Sequence, residues 1–219
     1  MARIYVLAGV NGAGKSSIGG AMLRSQGVPY FNPDEVAARI RAVAPGLSLA
    51  EAQSAAWIEG RKLLERAIAQ RLDYAFETTL GGRSITALLV QAARQGIEIW
   101  VWYVGLANID LHLARVKSRV ARGGHDIPEE RIRGRYAPSL LNLMRLLPLA
   151  TELRVYDNSY EADPNSGQEP RPKVIVHLRR GRIVAANTLS TTPDWAKPIM
   201  LAALEAAVRT KDRGAQSKG

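Results

Sequence analysis

The most constraining feature of this chain is a glycine-rich segment at residues 9–16, Gly-Val-Asn-Gly-Ala-Gly-Lys-Ser. It fits the pattern G-x-x-x-x-G-K-[ST], and it lies between an apolar run at residues 4–8 and a helix predicted over residues 15–24. Glycines at these positions let the backbone turn tightly and point its N–H groups at phosphate oxygens. The segment therefore predicts a phosphate-binding P-loop and, with it, binding of ATP or GTP.

Each side chain of the motif has an expected task. Lys15 reaches the β- and γ-phosphates, Ser16 offers its hydroxyl to Mg²⁺, and the following helix presents its positive N-terminus to the triphosphate. Ser16 is thus the predicted metal ligand, and ATP and Mg²⁺ are the predicted cofactors. The residues of this loop expected to contact ATP are Gly9, Val10, Asn11, Gly12, Ala13, Gly14, Lys15, Ser16 and Ser17.

The composition is that of an ordinary globular protein and excludes several other classes. The chain has 219 residues, 47% hydrophobic and 23% charged, which suits one α/β domain with a sizeable core. No apolar run approaches the ~18 residues that a membrane-spanning helix needs. The absence of cysteine excludes disulfides and thiolate zinc sites. Because the N-terminal residues also lack a secretory pattern, we expect a cytoplasmic protein with no membrane partner.

The charge balance favours an anionic partner. Lys and Arg number 30 against 20 Asp and Glu, which gives a formal net charge of +10. Much of the surplus lies at residues 115–135 and near the C-terminus, and no basic helix is interleaved with aromatic residues. This distribution favours an anionic small-molecule substrate over nucleic acid.

The order of apolar runs predicts the fold class. Five runs are predicted as strands, at residues 4–8, 28–32, 74–78, 97–106 and 153–157. Because helical stretches alternate with them, we expect a three-layer α/β/α fold of the P-loop kinase type around a five-stranded parallel sheet. In the helix predicted over residues 48–70, Trp57, Leu64 and Ile68 recur at helical spacing and are expected in the core.

The C-terminal part is predicted to complete one domain rather than to form a second. Residues 173–186 have the pattern of a β-hairpin added to the sheet, and residues 194–209 that of a final helix. The single domain is therefore expected to span residues 1–210, with residues 211–219 as a disordered tail.

Acidic residues follow two of the predicted strands, at the sheet edge where open α/β sheets bind ligands. Asp34 can cap a helix, or follow Asn32 as the cap with Pro33 at the first helical position, and it can also take the proton of a substrate hydroxyl. Glu77 ends an apolar strand, where a carboxylate is costly unless it is hydrogen-bonded or near a cation. Glu77, with Thr79 beside it, is therefore a candidate for substrate hydroxyls or the Mg²⁺ water shell, with a plain polar turn as the alternative.

Residues 115–136 are predicted to form a lid: two arginine-bearing helices around a loop with glycines at 123 and 124. Such a lid can close on a triphosphate and exclude water, and the arginine fork can pair two phosphate oxygens at once. The alternative is a pair of solvated amphipathic helices. His125 is interpreted as a loop contact, and His112 and His177 carry no functional signal.

Together these segments resemble the zeta toxin family of P-loop kinases, in particular its short stand-alone bacterial members. The similarity lies in the order and spacing of residues 9–17, 31–36, 76–80, 119–136 and 156–159. Zeta toxins are ATP-dependent kinases that phosphorylate the 3′-hydroxyl of the amino sugar of UDP-N-acetylglucosamine. The resemblance implies an ATP- and Mg²⁺-dependent transfer to a hydroxyl of a sugar nucleotide, and it says nothing of an inhibitor protein.

By position, the resemblance implies a role for several of the residues above. Lys15 is implied in catalysis together with ATP binding, Asp34 as the catalytic base that also contacts the substrate, and Glu77 and Thr79 as sugar contacts. Asn158, past the fifth strand, is implied near the adenine.

The family also uses two catalytic arginines in its lid. Arg122 and Arg135 fit the family spacing best, and Arg119 and Arg133 are the alternative pair.

Two rival functions remain open at this point. One is an ATP-binding regulator or an RNA-stimulated ATPase that uses the basic surface, and it predicts ATP turnover stimulated by RNA but not by sugar nucleotides. The other is a kinase that acts on a nucleoside or on the end of a nucleic acid.

Overall fold

The computed structural model describes residues 1–16, 19, 23, 27–28, 30–160 and 172–216, with the backbone alone for 211 and 213–216. In this part of the chain, seven strands form one sheet in the order β2-β3-β1-β4-β5-β6-β7. The strands are β1 (Arg3–Ala8), β2 (Tyr30–Phe31), β3 (Tyr74–Thr78), β4 (Glu98–Gly105), β5 (Glu152–Asp157), β6 (Lys173–Arg179) and β7 (Arg182–Ala186). Strands β1 to β5 pair in parallel, as predicted, and the antiparallel hairpin β6–β7 extends the sheet from five strands to seven.

Six helices with complete bounds accompany the sheet in the described ranges. They are α1 (Pro33–Val43), α2 (Leu49–Gln70), α3 (Arg83–Arg94), α4 (Ile109–Ala121), α5 (Glu129–Leu146) and α6 (Lys197–Gln216). No helix among the described residues combines the length and the apolar character needed to cross a membrane.

Local sequence signals fix where α1 and α2 begin. Asn32 caps α1, because its side chain accepts hydrogen bonds from backbone N–H groups of the first turn, and Pro33 occupies the first helical position. Ser48 and Glu51 form a capping box at the start of α2, in which each side chain bonds the other's backbone N–H. The Asn32 cap places the start of α1 directly after β2, at the edge of the sheet where β2 and β3 end.

An apolar core lies on each face of the sheet. On one face, Ile4 and Val6 belong to a cluster that includes apolar residues of α2, α3, α5 and α6. On the other face, Tyr5 and Leu7 pack in a cluster with Leu23, a helical residue that follows the P-loop. Because successive strand residues point to opposite faces, both faces of β1 are buried. Helical residues therefore cover both faces, and the predicted three-layer arrangement is confirmed.

Buried polar residues of α5 hold the turn that follows β3. Leu80 in this turn is buried with a φ of +55°, a left-handed conformation that is strained for a residue with a side chain. Asn142 Nδ2 donates to the carbonyls of Leu80 (2.8 Å) and Gly82 (3.1 Å). Ser139 Oγ donates to the Thr79 carbonyl (2.7 Å). The turn that presents Thr79 is thereby tied to the second helix of the predicted lid.

The structure corrects the prediction for Trp57. The sequence places this residue in the core with Leu64 and Ile68, and those two are indeed buried. Trp57 itself is 46% exposed and lines a cavity, because its part of α2 faces open space rather than the sheet. Helical spacing places Trp57 on the same face of α2 as Leu64 and Ile68, but it does not show what packs against each part of that face.

Element ends also differ from the sequence prediction. The second strand is limited to Tyr30–Phe31, since the chain enters α1 at the Asn32 cap. The final helix continues to Gln216, through residues predicted as tail, and Glu205 and Arg209 pair along it at the i,i+4 spacing. The tail residues 217–219 lie outside the described residues. Of the helix predicted over residues 15–24, the described positions 15, 16, 19 and 23 are helical.

Candidate active site

The P-loop connects β1 to a helical turn that begins at Lys15. Gly9 has a φ of +141°, and a Cβ at this position would overlap the Val104 carbonyl of β4. Gly12 has a φ of +83°, and a Cβ there would lie 2.6 Å from the His112 carbonyl of α4. Both positions require glycine on conformational and steric grounds. The motif glycines thus let the loop pass directly against β4 and α4.

Three side chains from distant parts of the chain hold the P-loop. His112 is buried, and its Nδ1–H donates to the Asn11 carbonyl at 2.8 Å. Asn158, which follows β5, donates from Nδ2 to the Ala13 carbonyl at 2.9 Å. Arg135 of α5 donates from Nη1 to Asn11 Oδ1 at 3.0 Å. The loop is therefore preorganised by α4, α5 and the end of β5.

Glu77 joins the P-loop to β2 and to the start of α1. It is the last residue but one of β3, the strand that pairs directly with β1. Its Oε2 accepts hydrogen bonds from Ser16 Oγ (2.9 Å), the Tyr30 hydroxyl (3.0 Å) and Asn32 Nδ2 (3.4 Å). Its Oε1 lies 3.4 Å from Lys15 Nζ. These partners compensate for the burial of the carboxylate, which would otherwise be costly.

Asp34 lies in the first turn of α1, half-buried beside the lid. Asn32 supplies the helix cap, which leaves the Asp34 carboxylate for other contacts. Its Oδ1 lies 3.5 Å from His125 Nε2 in the lid loop. Burial and the neighbouring charge of Arg131 lower the pKa of Arg135, and the charge of Asp34 partly offsets this. Asp34 is thus a negative charge that acts on Arg135 of the lid.

A cavity of about 490 Å³ brings these residues together. Its volume falls within the range of roughly 300–1,000 Å³ that small-molecule sites occupy. The polar part of the wall comes from the P-loop, the ends of β2 and β3, and α5, and it includes Asn11, Lys15, Asp34, Glu77, Thr79, Arg131 and Arg135. The rest of the wall comes from α2, from the start of α3 and the turn before it, from Ile127 of the lid loop, and from Phe31 and Phe76 of β2 and β3.

Two lid arginines line this cavity. Arg131 and Arg135 are four residues apart on α5, so both lie on one face of the helix. Arg131 Nη1 also lies 3.5 Å from Gln53 Oε1 of α2, so that contact links the lid to α2 beside the cavity. The cavity therefore combines the two lid guanidinium groups with Lys15, an arrangement suited to phosphate oxygens.

The other lid arginines lie outside the cavity lining. Arg122 is exposed at the end of α4, and its guanidinium donates to the carbonyl and hydroxyl oxygens of Ser118 in the same helix. Arg133 pairs with Glu129 one turn away. Arg119 donates to a backbone carbonyl of the lid loop at 3.2 Å. Of the pair implied by the resemblance, the structure brings Arg135 to the cavity and not Arg122, whose catalytic role stays a prediction.

The remaining predicted residues have definite positions, with one exception. Thr79 lines the cavity beside Glu77. Asn158 is buried against the P-loop backbone, and its predicted contact with adenine stays a prediction. Ser17 lies outside the described residues.

Several residues of the site escape sequence reasoning. Arg131 carried a usable signal, because its spacing to Arg135 places both on one helical face. The sequence suggests only a loop contact for His125, whereas the structure brings its ring to Asp34. Tyr30 and His112 gave no signal, since their contacts join residues 47 and 101 positions apart in the chain.

Comparison with known proteins adds to this geometry. A model of the zeta toxin family matches residues 2–163 of the 219-residue chain. The chain belongs to the zeta toxin family. The matched region includes the P-loop, both carboxylates and the whole lid. A protein of Haemophilus influenzae without an assigned function is 33% identical over 132 residues, which make up 58% of this chain and 88% of that protein.

Solved structures with similar folds confirm the P-loop kinase fold. The AvrRxo1-ORF1:AvrRxo1-ORF2 complex matches in a structure with sulphate ions (TM-score 0.66, 15% identity) and in one with ATP (TM-score 0.64, 13% identity). The alignments cover 89% and 93% of this chain but only 65% and 64% of the matched chain, so this chain spans about two thirds of that length. A candidate kinase of Chloroflexus aurantiacus matches with a TM-score of 0.52 and 18% identity, over 75% of this chain and 93% of its own.

The burial of His112 beside the P-loop predicts a pH dependence of stability. Burial lowers the pKa of His112 from 6.5 to about 4. Between these values the unfolded chain binds more protons than the folded protein, so the free energy of unfolding falls as the pH drops from 7 toward 4. In the variant His112→Asn, whose amide can still donate to the Asn11 carbonyl, this part of the pH dependence should disappear.

The measurement is denaturant unfolding of both proteins at several pH values in that interval. The pKa of His177 is also lowered by burial, but His177 is present in both proteins, so the difference between their curves isolates His112. Parallel curves for the two proteins would contradict the prediction.

Proposed function

We propose that this protein is an ATP-dependent kinase that transfers the γ-phosphoryl group to a hydroxyl of an anionic small molecule. The observation that carries the proposal is that one cavity is lined by Lys15 of the P-loop, by the Asp34 carboxylate and by Arg135 of the lid. Phosphoryl transfer requires a phosphate cradle, a residue that positions or deprotonates the nucleophile, and cations around the transferred group. Membership of the zeta toxin family supports the same assignment.

ATP is the proposed phosphoryl donor. The P-loop motif supports a nucleoside triphosphate, and a structurally similar complex crystallised with ATP supports adenine in particular. Lys15 now lies between Glu77 and the Val10 carbonyl, both 3.4 Å from its Nζ. We infer that the triphosphate competes with Glu77 for this ammonium group.

Mg²⁺ is the proposed metal, and the residues at the end of the P-loop fit it. Ser16 Oγ and the Glu77 carboxylate are 2.9 Å apart, and they offer the hard oxygen ligands that this ion prefers. The described residues contain no group of three His, Cys, Asp or Glu side chains arranged for a metal, which suits an ion bound largely by phosphates and water. When bound, the ion neutralises charge on the phosphates.

Asp34 is proposed as the general base. The acceptor hydroxyl oxygen bonds to the γ-phosphorus while the bond from that phosphorus to the β-phosphate bridging oxygen breaks, ADP leaves, and Asp34 takes the hydroxyl proton. Arg135 and Arg131 stabilise the charge on the transferred phosphoryl oxygens. His125, 3.5 Å from Asp34, orients the carboxylate.

UDP-N-acetylglucosamine is the proposed acceptor. Glu77 and Thr79 offer acceptor groups for sugar hydroxyls at the strand end beside the P-loop, and the cavity arginines suit an acceptor that itself carries phosphate. Membership of the zeta toxin family favours this sugar nucleotide over other candidate acceptors.

Incubation with ATP, Mg²⁺ and UDP-N-acetylglucosamine should give a product heavier by one phosphate, attached to the amino sugar. Asp34→Asn should keep ATP binding and lower the transfer rate by at least ~100-fold, the scale of general-base catalysis. Asp110→Asn, which removes an exposed carboxylate outside the cavity, is the matched control.

The measurement is mass spectrometry over a panel of sugar nucleotides, nucleosides and RNA oligonucleotides. Labelling of RNA alone would refute the small-molecule kinase, whereas labelling of a different sugar nucleotide would replace only the acceptor. If Asp34→Asn transfers phosphate at the wild-type rate, Asp34 is not the general base.

The positions of the lid arginines predict an unequal effect of their removal. Arg135→Ala and Arg131→Ala should each lower kcat, Arg135→Ala by about 100-fold, because charge-stabilising groups act mainly in the transition state. Arg122→Ala and Arg133→Ala, which remove arginines of the same lid outside the cavity, should keep kcat within about threefold. The measurement is kcat of the four variants and the wild type by steady-state kinetics. A large loss in Arg122→Ala instead would restore the pair that the family spacing implies.

A further inference from the structure

A second groove lies between α3 and α5, apart from the cavity that holds the candidate active site. The first turn of α3 separates the two, because Ser84 lines the cavity and Arg83 lines the groove. The groove has a volume of about 610 Å³, within the range of small-molecule sites. Small apolar side chains of α3 form part of its surface. Its polar lining consists of Arg83, Thr86, Gln91, Arg94, Gln95 and Arg145.

The three arginines of this α3–α5 groove carry charge that no nearby carboxylate neutralises. Among the described residues, the lining contains neither Asp nor Glu, and none of these arginines forms an ion pair. The sequence has no acidic residue from 78 to 97 or from 131 to 151, the stretches that contribute the groove. Elsewhere a helical arginine pairs with a carboxylate one turn away, as Arg133 does with Glu129. The groove therefore presents uncompensated positive charge.

The stability of α3 does not explain where its arginines lie. Arg83 occupies the first turn of α3, where a cation is unfavourable with the helix dipole, and this turn contains no acidic residue. Arg94 lies eleven residues later, about 16 Å along the helix axis, and Arg145 approaches from α5. At the Arg94 end, a further guanidinium lies close by, since Arg71 Nη1 donates to the Gln95 carbonyl at 3.1 Å. Cationic donors thus surround the groove on several sides.

We propose that the α3–α5 groove is a binding site for a small oligophosphate, an anion with several linked phosphate groups. The arginine fork pairs two phosphate oxygens at once, and several negative charges on one compact ion match three arginines better than a single carboxylate or orthophosphate does. The inference does not depend on the proposed kinase reaction, because the groove includes neither Lys15 of the P-loop nor Asp34.

The lining also argues against a macromolecular partner. Eight residues line the groove, whereas a protein interface uses about 20–30 residues on each side. No aromatic side chain belongs to this lining, so the groove offers no platform on which the bases of a single-stranded nucleic acid could stack. A small anion is therefore the ligand that the size and chemistry of the groove favour.

The proposal is tested by calorimetric titration with inorganic tripolyphosphate, without metal and at about 0.15 M salt. The protein is the variant Lys15→Ala, in which the P-loop has lost its ammonium group, and we expect one ion to bind per chain. Arg83→Gln and Arg94→Gln, each added to Lys15→Ala, should weaken binding by at least about tenfold, because charged hydrogen bonds to phosphate are lost. Both arginines are exposed, so the fold should tolerate either change.

Arg39→Gln in the same background is the matched control. Arg39 is an exposed arginine of α1 that lines neither the groove nor the cavity, so its removal makes the same change in net charge and should leave the affinity as it was. An equal loss of affinity in all three variants would show attraction to the net charge alone and would overturn the proposal. The absence of binding to Lys15→Ala would overturn it as well.

Two further probes, an oligouridylate and a polyaspartate peptide, test the class of ligand. Tighter binding of either probe than of tripolyphosphate, with the same dependence on Arg94, would replace the small anion by a macromolecule and overturn the proposal. The kinase assignment is tested separately, by phosphoryl transfer in the wild type. Arginine-dependent binding in the groove of a protein that transfers no phosphate would sustain the groove and refute the kinase. Transfer by a protein whose groove binds no anion would refute the groove alone.

Discussion

The buried carboxylate of Glu77 is the interaction on which the rest of the site depends. It accepts hydrogen bonds from Ser16, Tyr30 and Asn32, so it ties together the P-loop, β2 and the cap of α1. A buried carboxylate without such partners is costly, so these segments are held in one arrangement. The arrangement leaves Asp34 in the first turn of α1, where its side chain faces the lid. The position of the proposed base is therefore a consequence of the contacts of Glu77.

The helix α5 has a second organising role, because its first half forms part of the predicted lid and its second half holds the turn after β3. Its first half carries Arg131 and Arg135 into the cavity. Its buried Ser139 and Asn142 hold the strained turn after β3. Arg135 also binds the Asn11 side chain of the P-loop. The helix α5 therefore contacts both the P-loop and the turn after β3.

The parts of this site that depend on local sequence patterns can be predicted from the sequence. The P-loop glycines are required by backbone conformation, and the Asn32–Pro33 start of α1 follows from capping rules. Glu77 at a strand end is recognisable because a carboxylate there needs partners. The parallel strands and the hairpin follow from apolar runs and turn residues.

The parts that it misses depend on contacts between distant segments. Trp57 has the spacing of a core residue, and only the packing of α2 shows that a cavity lies opposite it. The cavity position of Arg131, one turn before Arg135, depends on the packing of α5, and the catalytic role of Arg122, which donates to Ser118 of its own helix, stays a prediction. His112 supports the P-loop across 101 residues of chain, a contact that no local pattern encodes.

The most direct test of this account is the effect of Mg²⁺ on ATP affinity in Glu77→Gln, measured by calorimetry with and without the metal. Removing the carboxylate releases Lys15 and takes a negative charge away from the phosphates, so Mg²⁺-free ATP should bind at least as tightly as to the wild type. The gain in affinity on adding Mg²⁺ should shrink by about tenfold or more, because a hard oxygen ligand beside Ser16 is lost. Glu59→Gln, an exposed carboxylate of α2 outside the cavity, should behave as the wild type. An unchanged Mg²⁺ gain in Glu77→Gln, with weaker Mg²⁺-free binding, would contradict the central place given to this residue.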